Sequence, residues 1–528
     1  MSSNTENLFG RVCSFLWPIE KGEYKKFIPM LLIFMLIAFN YNLLRAAKDT
    51  MLITAPQSGA EAIPFVKVWV MLPMAFLMTF IFTRLSNKFS REKVFYFMLS
   101  IFLGFFFVFT FFLYPNRDLL HPNETANTLQ NILPAGFKGL IALFRNWIFT
   151  AFYVMSELWS AIILTVLFWG FANEVTPVKQ AKRFYTLFGL GANISGILSG
   201  QAAIYLSSTI FLPSLPYGTN AWEQSVLYLN STILLSGLGI FLVFKWMHKK
   251  VIKDVLPLDA ATDTATPNQP KIKMSLRKNF RYLAKSKYLI CIAVIVVAYN
   301  LCLNLVEVVW KNQVKELYPT PSDYNIYMGH VMSYTGLLAT IFSLFIAGFL
   351  LRRFSWTFNA LAPPLIMLVT GVFFFFFLLS RDSSLSLFAG LMGSVPLSLI
   401  VLFGTAQNCF SRAMKYTFFD ATKEMSFIPL SKECKLKGKA AIDGVGSRIG
   451  KSGGSLLYQG LLIVFSTISA STPVIAVCFL IFIGIWAFSV LVLGKQFNEL
   501  TVQSEKIDIT KPTESTSLVH DQQALAKN

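Results

Sequence analysis

The sequence predicts an all-α membrane protein of about twelve transmembrane helices in two six-helix halves, and three observations carry that prediction. Only 14% of the 528 residues are charged and 55% are hydrophobic, whereas a soluble domain carries about 25% charged residues. Twelve apolar runs are each long enough for the roughly 20-residue helix that crosses a bilayer. Lys and Arg gather in alternate connections between those runs. Backbone groups in hydrocarbon need partners within their own segment, so the runs are read as helices.

The runs fall at 27–47, 65–83, 94–114, 145–173, 182–207 and 226–247 in the first half. In the second they fall at 288–310, 326–351, 357–380, 385–411, 439–468 and 474–494. Residues 1–26 read as a cytoplasmic N-terminus without a cleavable signal, so the first span acts as its own insertion signal. Residues 248–287 read as a cytoplasmic linker between the halves (27–247 and 288–494) and 495–528 as a disordered cytoplasmic tail.

Orientation follows from the cations. The 84–93 connection holds Arg84, Lys88, Arg91 and Lys93, and the 174–183 connection Lys179, Lys182 and Arg183, whereas 208–224 has no Lys or Arg. Both termini are therefore placed in the cytoplasm. Much of the net charge of +19 is thus a topology signal, and nucleic-acid binding has no separate support.

Gly189–Gly196 in span five resembles Gly444–Lys451 in span eleven at an offset of 255, and Asn40 and Asn42 correspond to Asn300 and Asn304. Two six-span halves joined by a long cytoplasmic linker are the plan of major-facilitator-like transporters.

A charge at mid-bilayer costs roughly 2.5–3.5 kcal/mol on insertion scales, so such charges face a wet cavity or a partner. Spans three, six, nine and twelve are essentially free of them and are expected to face lipid. Charges concentrate in Arg45 and Lys48 at span one, Arg145 and Glu157 in span four, Glu307 and Lys311 at span seven, Arg412 at the end of span ten, and Arg448 and Lys451 in span eleven. The cations outnumber the acids, and an anionic substrate would neutralise the surplus. Asn193, Asn300, Asn304 and Asn408 could hydrogen-bond a ring or sugar, and Tyr41, Tyr153, Trp159, Phe168 and Trp310 could stack on one. Against this stand two plainer readings: Arg45, Lys48, Lys311 and Arg412 could snorkel to headgroups, and Glu157 and Lys451 could form structural ion pairs.

Apparent enzyme motifs fail. Gly450-Lys451-Ser452 lacks the earlier glycine of a phosphate-binding loop, because position 445 is Val, and Ile194 stands where a dinucleotide fingerprint needs glycine. Four scattered histidines and six cysteines without a CxxC pair suggest no metal site, cofactor or disulfide frame.

Four stretches together resemble the ATP/ADP translocases of plastids and obligate intracellular bacteria: Leu44–Asp49, Glu157–Trp159 with Phe168–Asn173, Asn304–Lys311, and Lys437–Asp443 through Gly454. The resemblance spans roughly residues 20–495. It places the family's important charges on Lys48, Glu157, Glu307 and Lys451. Beside them the expected substrate-binding set holds Arg45, Asn193, Asn304, Lys311, Arg412 and Arg448. The resemblance implies exchange of host ATP for ADP, with phosphate as a companion of ADP, by alternating access and without hydrolysis. The chain is also expected to be a multi-pass protein of the bacterial inner membrane and to function as a monomer. The rival readings are a proton-coupled importer of another nucleotide or organic anion and a non-transporting membrane scaffold.

Overall fold

A computed structural model describes residues 19–207, 210–252, 286–381, 396–430 and 447–510, together with Gly438 and Ile442. Most of the expected linker, and the tail beyond 510, lie outside the described residues.

Among the described residues there are twelve long helices and no strands. They are α1 (Tyr24–Ile53), α2 (Ala62–Lys88), α3 (Arg91–Leu113), α4 (Trp147–Val175), α5 (Val178–Leu206) and α6 (Ala221–Val251). The second half contributes α7 (Lys287–Leu317), α8 (Pro321–Arg353), α9 (Trp356–Leu379), α10 (Pro396–Met414), α11 (Ser447–Phe465) and α12 (Ile468–Thr510). Ten of them, all but α10 and α11, are long and apolar enough to cross a membrane. The described parts of α10 and α11 begin after residues that are not described. Helix α12 continues past the expected span end at 494.

Local sequence sets several starts. Asn220, Thr320 and Ser355 each accept a backbone N–H in the first turn of α6, α8 and α9, and Pro321 occupies the first position of α8, where its missing N–H is harmless.

The two halves repeat one packing scheme. Helix α1 packs on α4, α5 and α6, as α7 packs on α10, α11 and α12. Gly191 of α5 lies against Leu31 and Met35 of α1, and Gly450 of α11 against Val297 and Asn300 of α7. The correspondence extends to helix geometry: α4 widens into π-type turns at Ser160–Phe168 just after Glu157, and the chain widens likewise at Lys415–Phe419 just after Arg412. Both pairs keep the 255-residue offset of the glycine motif.

The halves meet along α5 with α8 and along α2 with α11. At the α5–α8 crossing a Cβ on Gly329 would lie 2.8 Å from the Gly200 carbonyl oxygen, and one on Gly336 would lie 2.7 Å from that of Asn193. Only glycine allows backbones this close. Helices α3, α6, α9 and α12 turn Phe107, Phe112, Leu235, Leu242, Phe373, Phe376, Leu480 and Phe488 outward, as expected of lipid-facing elements.

Arg145 departs from the expectation. It ends a separate short helix, Lys138–Arg145, and hydrogen-bonds Asn127 at 2.7 Å and Gln130 at 3.3 Å. Asn146 then leaves helical geometry before α4 begins, so Arg145 sits beside the bundle and not within span four.

Candidate functional site

The charges expected inside the spans join into one chain. On α1, Lys48 reaches Asp49 at 2.8 Å and Glu157 of α4 at 3.0 Å, with its ammonium 3.8 Å from the Tyr153 ring centre. Asp49 reaches across to Lys311 of α7 at 2.7 Å, which also pairs with Glu307 one turn earlier at 2.9 Å. Glu307 takes Arg412 of α10 at 2.9 Å, and Arg412 donates a further bond to Asn408 at 2.8 Å. Glu157, Lys48, Asp49, Lys311, Glu307 and Arg412 thus run unbroken through α1, α4, α7 and α10. The Asp49–Lys311 pair is the link between halves. Uncompensated charges at such depth would be prohibitive, and pairing is what makes them tolerable.

Exposure along the chain is uneven. The side chains of Lys48 and Lys311 are each 3% exposed, whereas that of Glu157 is 31% exposed. The lysines are therefore held and dry, and the Glu157 carboxylate is open to one side. Near this chain, Lys67 of α2 donates to the Asn304 side-chain oxygen at 2.6 Å, and Asn304 donates to the Lys451 carbonyl at 3.3 Å. The Lys451 side chain is exposed on α11.

A cavity of about 1160 Å³ lies between the halves. Tyr41 and Arg45 of α1, Asn193 of α5, Arg352 of α8 and Asn408 and Arg412 of α10 line it. It opens toward the end of the bundle where Arg91 pairs with Glu174, and Arg183 with Glu20 and Glu23; this is the basic end. Among the described residues Arg45 has no carboxylate within 4.0 Å.

The opposite end is shut. Gln459 of α11 donates to the Pro64 carbonyl at 2.8 Å and accepts from the Trp69 indole at 3.0 Å. Thr50 donates to Asn325 at 2.9 Å, Asn325 to Ser207 at 2.7 Å, and Lys315 to the Ser58 carbonyl.

Of the expected site residues, Lys48, Glu157, Lys311, Glu307 and Arg412 therefore meet in one network. Arg45 and Asn193 line the cavity with Arg412, and Asn304 and Lys451 flank the network. The Arg448 side chain lies outside the described residues. Most of the expected stacking aromatics are packing elements instead. Trp159 is fully buried with its indole on the Ile37 carbonyl, Trp310 is bonded to Thr405, and Phe168 sits against Phe34; only Tyr41 reaches the cavity.

Two members of the site were missed by the sequence reading. Asp49 lies two residues beyond the expected end of span one, and Lys67 three residues into span two. Each was a charge at the edge of an apolar run, which was the available signal. No group of three His, Cys, Asp or Glu among the described residues could hold a metal.

Two pseudo-symmetric six-helix halves around a charge-lined cavity, open at one end and sealed at the other, define a secondary transporter of the major-facilitator architecture. A solved bacterial homologue of the iron transporter ferroportin in its inward-facing state shares this fold, with a TM-score of 0.50 over 91% of this chain and 99% of that one at 13% identity. The chain belongs to the TLC ATP/ADP transporter family, whose model matches residues 2–497. It is 46% identical to ADP,ATP carrier protein 1 of Chlamydia muridarum over 96% of this chain and 95% of that one. ADP,ATP carrier protein 1 of Rickettsia bellii is 38% identical, covering 96% and 100%. The chloroplastic ADP,ATP carrier protein 1 of Arabidopsis thaliana is 39% identical, covering 93% and 77%. The family is one of multi-pass membrane transporters, not of enzymes.

Proposed function

We propose that the protein imports ATP in exchange for ADP, with phosphate able to accompany ADP, by alternating access and without hydrolysis. It works as a monomer in the bacterial inner membrane with both termini in the cytoplasm. The basic end is then the cytoplasmic one, and the cavity faces inward.

One observation carries this reading: the ion chain through α1, α4, α7 and α10 meets a cavity that holds the guanidinium of Arg45, which has no carboxylate within 4.0 Å among the described residues. Five cations (Arg45, Lys48, Lys67, Lys311, Arg412) face three carboxylates (Asp49, Glu157, Glu307). An empty cavity keeps this surplus, which opposes closure of a low-dielectric barrier around it. Nucleotide phosphates neutralise it, so the halves rock only when loaded, and exchange follows. Arg45, Lys67 and Lys451 supply the available positive charge. Lys48, Lys311 and Arg412 are held ready by Asp49, Glu157 and Glu307.

In proteoliposomes, labelled ATP enters only when ADP or ATP is inside; equal uptake into empty vesicles would remove obligatory exchange. Lys451→Gln abolishes nucleotide binding, and near-normal affinity would return Lys451 to a structural role. Dependence of uptake on an imposed pH gradient would favour proton coupling instead.

A further inference from the structure

The cavity carries a graded arrangement that extends beyond the ion chain. On α1, Tyr41 stands four residues before Arg45, and α1 enters from the basic end. On the other half, Tyr416 follows Arg412 by four residues, and α10 runs out toward the basic end. Each tyrosine therefore sits one turn, about 6 Å, nearer the mouth than its arginine. All four residues line the cavity, and Tyr416 is 46% exposed overall.

Carboxamides fill the same space. Asn42 and Asn193 both line the cavity, and no side-chain bond engages either among the described residues. They are neighbours: the Asn42 amide nitrogen lies 3.8 Å from where Gly196, one turn past Asn193, would carry a Cβ. Deeper in, Asn408 gives its oxygen to Arg412, which leaves its amide nitrogen buried and unpartnered in a residue only 2% exposed. A buried amide without a partner is rare enough to ask what completes it.

We propose that Tyr41 and Tyr416 sandwich the purine base of the transported nucleotide near the cavity mouth, that Asn42 and Asn193 read its edge, and that Arg45, Arg412 and the free Asn408 amide take the phosphates one turn deeper. This rests on the nucleotide-exchange reading above. A carboxamide matches the amino-donor and ring-nitrogen-acceptor pair of adenine, whereas guanine offers two acceptors there. Aromatic rings from opposite halves make base binding a joint act of both, so the base itself helps draw them together.

The test is labelled ATP uptake into ADP-loaded proteoliposomes, competed with unlabelled ATP, GTP or inorganic tripolyphosphate. Tyr416→Leu raises half-saturating ATP roughly tenfold, the effect of losing one base stack, while Tyr416→Phe stays near wild type. Asn193→Leu narrows the preference for ATP over GTP roughly tenfold. Competition by tripolyphosphate survives Tyr416→Leu and Asn193→Leu, which also shows that these variants are folded, and it weakens in Arg45→Gln. Unchanged ATP half-saturation and unchanged ATP preference in both folded variants would overturn the base site. Wild-type protein that exchanges no adenine nucleotide would instead overturn the transport reading.

Discussion

Asp49→Asn is the sharpest perturbation of the ion chain. The Asp49 carboxylate is 1% exposed and bonds Lys48 at 2.8 Å and Lys311 at 2.7 Å. Removing one partner from a buried ion pair costs about 3–5 kcal/mol, because the remaining charge is left uncompensated. Lys48 keeps Glu157, Lys311 keeps Glu307, and an asparagine oxygen still accepts from one lysine, so the lower value applies, about 3 kcal/mol, or roughly 150-fold in the balance between states. The loss falls on the state in which α1 and α7 are joined, so the sealed end opens more often. Ala60→Cys in a background without native cysteines reports this, because Ala60 is fully buried in the loop after α1. A membrane-impermeant maleimide added outside labels Ala60→Cys much faster when Asp49→Asn is present. Adding Lys311→Met removes the ammonium that Asp49→Asn leaves with Glu307 as its remaining carboxylate and slows labelling again. Equal labelling rates with and without Asp49→Asn would refute the bridge as a closure element.

Three further outcomes follow from the geometry. Gly200→Val at the α5–α8 crossing places side-chain atoms against the Gly329 carbonyl and Ser333, so overpacking by about 1–3 kcal/mol lowers the melting temperature and blocks exchange. Arg145→Met lowers thermal stability by about 1.5–3 kcal/mol through lost charge-assisted bonds yet leaves the ATP half-saturation of exchange unchanged, because Arg145 lies outside the cavity. Burial holds the His121 imidazole below its usual 6.5, so the fold favours the neutral ring; stability present above pH 6.5 is lost as pH falls below it. Melting curves of His121→Phe are flatter over that range than those of the parent.

The twelve helices were legible because hydropathy and bilayer thickness are local constraints, written directly into runs such as Phe373–Phe377. The spacing of Glu307 and Lys311, one helical turn, is a local signal for a pair, but the sequence reading named them only as separate site residues. Asp49–Lys311 joins residues in different halves, and no spacing in the chain announces it. Arg145 was misplaced because the apolar segment from Gly139 to Phe144 merges with span four; the break at Asn146 has neither Pro nor Gly to mark it. The stacking aromatics were misjudged because hydropathy records that a ring lies in a span but not which way the helix is rotated. Trp159 and Trp310 face neighbouring helices, and Tyr41 faces the void.

Glu157 and Arg412 keep the 255-residue offset and each precedes π-type turns, so equivalent positions of the two halves carry opposite signs. They stand at the two termini of the ion chain, which therefore reads from an acid to a base and has no mirror version. A tandem protein assembled from two copies of either half would inherit like signs at both termini and lose that direction.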